Sequence, residues 1–151
     1  MATASVQAPS VLTLALPQSP ESIGKARRVV RGVLTARGWP EELVASAVLV
    51  VCELVTNAVV HGLPPVGLRV QVVSGFVAGR VTDRSSERPI LAAADVEAEG
   101  GRGLAIVQAM ADRWGTYPLP GSEGKAVWFE FRGPPDPVRL ARSSPVTRSR
   151  S

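Results

Sequence analysis

The stretch PEELVASAVLVVCELVTNAVVH, Pro40 to His61, sets the first limit on how this chain can fold. Val, Leu and Ala occupy most of its circumference, so it reads as a helix packed on most sides rather than one lying on a surface. Pro40 suits the first helical position, and Glu41 and Glu42 suit the positive end of the helix dipole. Gly62, followed by Pro64 and Pro65, stops it. Against this apolar background Glu53, Asn57 and His61 stand four residues apart and form one polar ridge. Burying a carboxylate without partners is costly, so such a ridge either meets solvent, pairs, or lines a cavity. Three readings stay open on these residues alone. The ridge is a solvent edge, with His61 placed to suit the C-terminal dipole. It is a metal site, for which one His and one Glu fall far short of a zinc set. Or it is a magnesium–nucleotide site, where the Asn57 carbonyl is a hard oxygen ligand and Glu53 a general base.

The rest of the chain supplies the layers that would cover such a helix. VLTLAL (residues 11–16) reads as a short strand. A first helix follows over residues 21–37, with Ile23, Ala26, Val30, Val33 and Leu34 on its apolar face and Lys25, Arg28 and Arg31 off it. Gly38 ends that helix. Residues 67–73 and 76–83 form a hairpin about Ser74 and Gly75. Residues 84–100 lack periodicity and read as a long, mobile loop. Glycines then open a third helix, with Leu104, Val107, Ala111 and Trp114 on one face, before two closing strands at 114–119 and 126–131. This order predicts an α+β protein, a two-layer α/β sandwich with helices on one face of a mixed, mostly antiparallel sheet.

Charge and cysteine usage narrow the function classes. The formal net charge is +4 and the pI about 10.2, which raises nucleic acid as a partner. Much of the excess, however, lies in the Pro/Ser-rich end, where Arg139, Arg142, Arg148 and Arg150 read as a disordered, solvated tail over residues 133–151. Aromatic residues do not alternate with basic ones as a stacking platform requires, so nucleic-acid binding is disfavoured. The lone Cys52 excludes an internal disulfide and reads as a buried, inert thiol. No apolar run approaches the ~20 residues that span a bilayer, and the N-terminus has no signal-peptide pattern. The reading is one cytoplasmic domain over residues 11–132, preceded by a flexible N-terminus over residues 1–10.

Two further segments bear on the open question. EGGRGLAIV places Gly100, Gly101 and Gly103 at a helix start, where free N–H groups favour a phosphate, and Arg102 adds positive charge there. Asp83 ends the strand run AGRVTD, where a carboxylate can accept from a base amine.

Taken together, the segments resemble the GHKL, or Bergerat-fold, ATPase superfamily, and within it the small anti-sigma-factor serine kinases and their single-domain actinobacterial relatives. ELVTNAVVH matches the pattern E-x-x-x-N-x-x-x-H; VTDRSSERP stands where the first glycine box belongs; GGRGLAIVQAMADRWG is similar to the second; GKAVWFEF is similar to the last strand motif. The resemblance implies ATP and Mg²⁺ as cofactors, with Asn57 as the magnesium ligand and Glu53 as the base that activates the attacking hydroxyl. It implies that Asp83 reads the adenine amine and that Gly101, Arg102, Gly103 and Leu104 lie at the triphosphate. His61 would line the pocket, and residues 84–100 would be its lid. It further implies a protein serine/threonine kinase acting on a STAS-type anti-sigma-factor antagonist, sequestration of a sigma factor, and a homodimer. Two positions depart from the pattern: Ser85 replaces a glycine two residues after Asp83, and Ala126 replaces a threonine. These departures keep a second reading in view, a non-catalytic module that holds ATP or a partner protein and acts by sequestration alone.

Overall fold

The computed structural model describes residues 8–86, 101–121 and 123–134; most of the 84–100 connection, expected to be a lid, and most of the tail lie outside them. The elements run β1 (Ser10–Leu16), α1 (Glu21–Ala36), α2 (Glu41–His61), β2 (Val66–Val73), β3 (Phe76–Asp83), α3 (Gly101–Met110), β4 (Arg113–Pro118) and β5 (Lys125–Arg132). The strands form one sheet in the order β1-β2-β3-β5-β4. All four pairings are antiparallel, where the sequence predicted a mixed sheet dominated by antiparallel pairs.

Helix α2 is the centre of the molecule. Val44, Ala47, Val48, Val50, Val51, Leu54, Val55 and Ala58 are all buried along it. Beta-branched residues are mediocre helix formers, and its seven valines together cost roughly 3–4 kcal/mol of propensity relative to alanine. Burying even three such side chains, at ~1.5–3 kcal/mol each, outweighs that, so tertiary packing makes this helix. It rests on β2 and β3, with α1 on one flank and α3 on the other. At 21 residues it is in fact long and apolar enough to cross a membrane by length and composition, contrary to the sequence expectation. Here the same apolarity serves burial within the core.

Helix α1 buries Ala26, Val30 and Leu34 and leaves Ile23 and Val33 partly covered against the core. Gly38, at φ +78, reverses the chain after it, and the Trp39 N–H donates to Leu34 O at 3.1 Å. Pro40 is the cap of α2, one position before the helix rather than its first residue. The third helix is shorter than its apolar spacing predicted. It stops at Met110, and Trp114 belongs to β4, so only Leu104 and Val107 of that expected face are fully buried helical residues.

Alternation along each strand divides the sheet into two faces. Leu68, Val70, Val81 and Phe129 face the helices and are buried. Arg69, Gln71 and Arg80 lie on the other face and are exposed. Gly79 is buried opposite Phe129, and a Cβ there would collide with the Phe129 ring. Gly79→Ala is therefore expected to cost about 1–3 kcal/mol, read as a lower midpoint in urea unfolding with an unchanged slope.

Candidate functional site

Asp83 is the one ionisable side chain held in the buried class among the described residues, at 5% exposure. It ends β3, and its surroundings explain how the fold accommodates it. Its Oδ1 accepts the Ser85 N–H at 2.7 Å, closing an Asx turn as the chain leaves the sheet. Its Oδ2 lies 3.7 Å from the Lys125 ammonium, which is itself only 18% exposed. A carboxylate with one oxygen tied and a cation beside the other is held in a fixed orientation, with lone pairs left for a further donor.

Two glycines make room for this arrangement. A Cβ on Gly62 would lie 2.7 Å from Asp83 Cγ and 2.5 Å from Ala58 O. A Cβ on Gly124 would lie 2.5 Å from Asp83 O. Gly62 has extended backbone angles, so it stands there for close approach rather than for a left-handed conformation. The Arg84 N–H donates to Leu63 O at 2.9 Å, which ties the end of β3 to the segment following α2. Gln18 completes the join: its amide nitrogen donates to Val59 O at 3.1 Å and to Gly62 O at 2.8 Å, satisfying carbonyls at the end of α2. The Pro64–Pro65 bond in this connection is cis.

The polar ridge of α2 enters the same region. Glu53 and Asn57 are half-buried and His61 is exposed, so the ridge rises from the core toward the helix end. One turn separates each from the next, about 6 Å along the axis. Among the described residues neither the Glu53 carboxylate nor the Asn57 amide has a hydrogen-bond partner, so both are available to a ligand. Cys52, beside Glu53, is half-buried rather than fully buried as expected, and burial raises its pKa, which keeps the thiol protonated. Helix α3 packs on α2, and its first turn contains Gly101, Arg102 and Gly103. Leu104 is sealed in the core, so only its backbone is open to a ligand role. Gly100 lies outside the described residues.

A family model for the histidine kinase-like ATPase domain matches residues 16–131, more than half of the chain. The chain belongs to that family. Among solved structures, this ATPase domain is similar to the crystal structure of the RsbU and RsbW domains of Rv1364c from Mycobacterium tuberculosis. The TM-score is 0.63 at 21% identity, covering 82% of this chain and 32% of that one. At this identity the likeness concerns the fold, and the chain spans about a third of the length of that structure. A comparison with curated proteins gives no match. The GHKL resemblance is thus borne out, and with it a nucleotide-binding domain of the ATPase type.

Within this ATPase domain the register of β3 and β5 decides which residue stands opposite Asp83. Asp83 pairs with Lys125 and Thr82 with Ala126, so the pleat places residue 126 on the opposite face from Asp83. The side chain that answers Asp83 across the strand is Lys125, and the missing hydroxyl at Ala126 belongs to the other face. Sequence reasoning missed both Lys125 and Gln18. The lysine follows a glycine in GKAVWFEF, but which neighbour faces Asp83 is a matter of sheet register.

The pair Asp83–Lys125 is testable as a unit. Lys125→Met leaves a buried carboxylate without its cation and is expected to cost about 1–3 kcal/mol. Adding Asp83→Asn should recover part of that loss. A double-mutant cycle by urea unfolding measures the coupling, and additive losses would show that the two groups do not interact.

Proposed function

We propose that this ATPase domain is an ATP- and Mg²⁺-dependent protein serine/threonine kinase of the anti-sigma type. It would phosphorylate a hydroxyl on a STAS-type antagonist protein and sequester a sigma factor, as a cytoplasmic homodimer. The observation that carries this reading is the half-buried Glu53–Asn57 ridge on α2, joined through Gly62 to the buried, oriented Asp83.

The residues present fit a magnesium nucleotide. The Asn57 amide oxygen is a hard, neutral ligand, and Mg²⁺ needs few protein oxygens because it keeps water and phosphate oxygens. Asp83, with Oδ1 occupied by Ser85, would accept a base amine through Oδ2. The α3 backbone at Gly101 and Gly103, with Arg102, would face the phosphates, as helix N-termini favour anions. His61, exposed at the end of α2, would stand at the rim. When bound, the magnesium nucleotide supplies an activated phosphoryl group; the chain supplies position and charge neutralisation. Glu53, one turn before Asn57 on the same ridge, would hold the attacking hydroxyl and take its proton.

The non-catalytic reading has one observation in its favour. Lys125 already neutralises Asp83, so a base amine must share that carboxylate with an ammonium. The two readings separate on Glu53. In the kinase, Glu53→Gln keeps ATP affinity within about twofold while phosphotransfer falls at least ~100-fold. The assay is transfer from γ-labelled ATP to an antagonist protein, with affinity measured by calorimetry. Transfer unchanged by Glu53→Gln would overturn the base assignment, and no transfer by the parent protein would leave the sequestering module. Asn57→Ala is expected to remove magnesium-dependent ATP binding, and unchanged calorimetric affinity would overturn the metal role.

A further inference from the structure

The face of the sheet turned away from the helices is rich in arginine. Among the described residues it carries Arg69, Arg80, Arg113 and Arg132 against one carboxylate, Glu130. Arg69 stands directly opposite Arg80 across β2 and β3. Like charges in that relation weaken a sheet, yet neither guanidinium has a carboxylate partner among the described residues. Arg80 is instead aimed by Tyr117, whose hydroxyl accepts from its Nη1 at 2.8 Å. A shallow depression lined by Arg69, Gln71, Ala78, Arg80, Trp128 and Glu130 lies between them. Glu130, which lines this depression, also lies 3.7 Å from Arg113. Nearby, Asp112 is engaged with the Arg132 N–H at 2.7 Å.

We propose that this face, centred on the Arg69–Arg80 pair, is a docking surface for an acidic polypeptide segment of a partner protein. Paired guanidinium forks recognise carboxylates in a way that neutral sheet residues cannot. Alternate side chains of an extended segment are spaced like those of the sheet itself, about 6.6–6.8 Å, so carboxylates at every second residue can meet successive arginine rows. The occupant is not the chain's own C-terminal stretch, because Arg139, Arg142, Arg148 and Arg150 there face only Asp136 in charge. A second copy would bring the same cationic face and repel. Single-stranded nucleic acid needs a free aromatic face, and Trp128 is already engaged. Its indole lies across Gly115, where a Cβ would come within 2.8 Å of it, and the Arg113 guanidinium sits over the ring at 6.0 Å. This surface does not depend on the nucleotide site.

The test is fluorescence anisotropy of the full chain with a short labelled peptide of alternating glutamate and serine. Saturable binding that weakens with salt is expected, falling at least ~tenfold in the Arg69→Ala, Arg80→Ala variant. The Lys25→Ala, Arg28→Ala variant removes the same charge from exposed positions on α1 and should bind as the parent does. Equal weakening in both variants would reduce the effect to net charge and overturn the proposal, as would no binding at all. An oligothymidylate bound as tightly as the peptide would assign the face to nucleic acid. A parent dimer that dissociates in the Arg69→Ala, Arg80→Ala variant, seen by sedimentation, would assign it to a second copy. Arg69→Thr should melt no lower than the parent; a lower Tm would make the pair a structural feature instead.

Discussion

Helix α2 is held by β2 and β3 on one side and by α1 and α3 at its flanks, and the other features of this domain follow from that enclosure. A helix covered so fully must be apolar almost all round, which is why valine is tolerated at so many of its positions. It also has few places left for polar groups. Glu53 and Asn57 occupy the strip that the neighbouring elements do not close, and their exposure increases toward His61. The same enclosure that stabilises the fold therefore leaves this strip as the part of the helix where polar groups are accommodated.

The end of α2 and the end of β3 are fixed to one another by several independent contacts. Gln18 reaches from the β1–α1 connection to two carbonyls, Arg84 bonds to Leu63, and Gly62 lies against Asp83 without a side chain between them. A buried carboxylate is costly unless it is paired and hydrogen-bonded, and Asp83 is both. Its orientation is set by Ser85 on one oxygen and Lys125 beside the other. Ser85 accordingly performs its visible task through its backbone N–H, which any residue but proline supplies, so the departure from glycine at that position leaves the Asx turn intact.

Much of this was legible in the sequence because it is local. Periodicity located α1 and α2 to within a residue or so, and Ser74-Gly75 marked the hairpin, with Gly75 at φ +76 as such a turn requires. The ridge was visible because four-residue spacing on a helix is unambiguous. What the sequence hid depends on contacts between distant segments. Apolar spacing through Ala111 and Trp114 extended α3 too far, since a partly buried strand residue and a helical one at that spacing look alike in sequence. Lys125 and Ala126 are neighbours in GKAVWFEF, and only the pairing of Asp83 with Lys125 decides which of them belongs to the site.

The same register explains why the sheet has two such different faces. A shift of one residue in β2 or β3 would bury Arg69 and Arg80 and expose Leu68, Val70 and Val81, so the apolar face fixes the pairing firmly. Nothing in that requirement asks for arginine on the outer side; threonine or glutamine there would satisfy the pleat at lower electrostatic cost. The cross-strand pair of Arg69 and Arg80 therefore calls for a reason outside the fold. A bound anion is the simplest one, because it turns two repelling guanidinium groups into a single receptor.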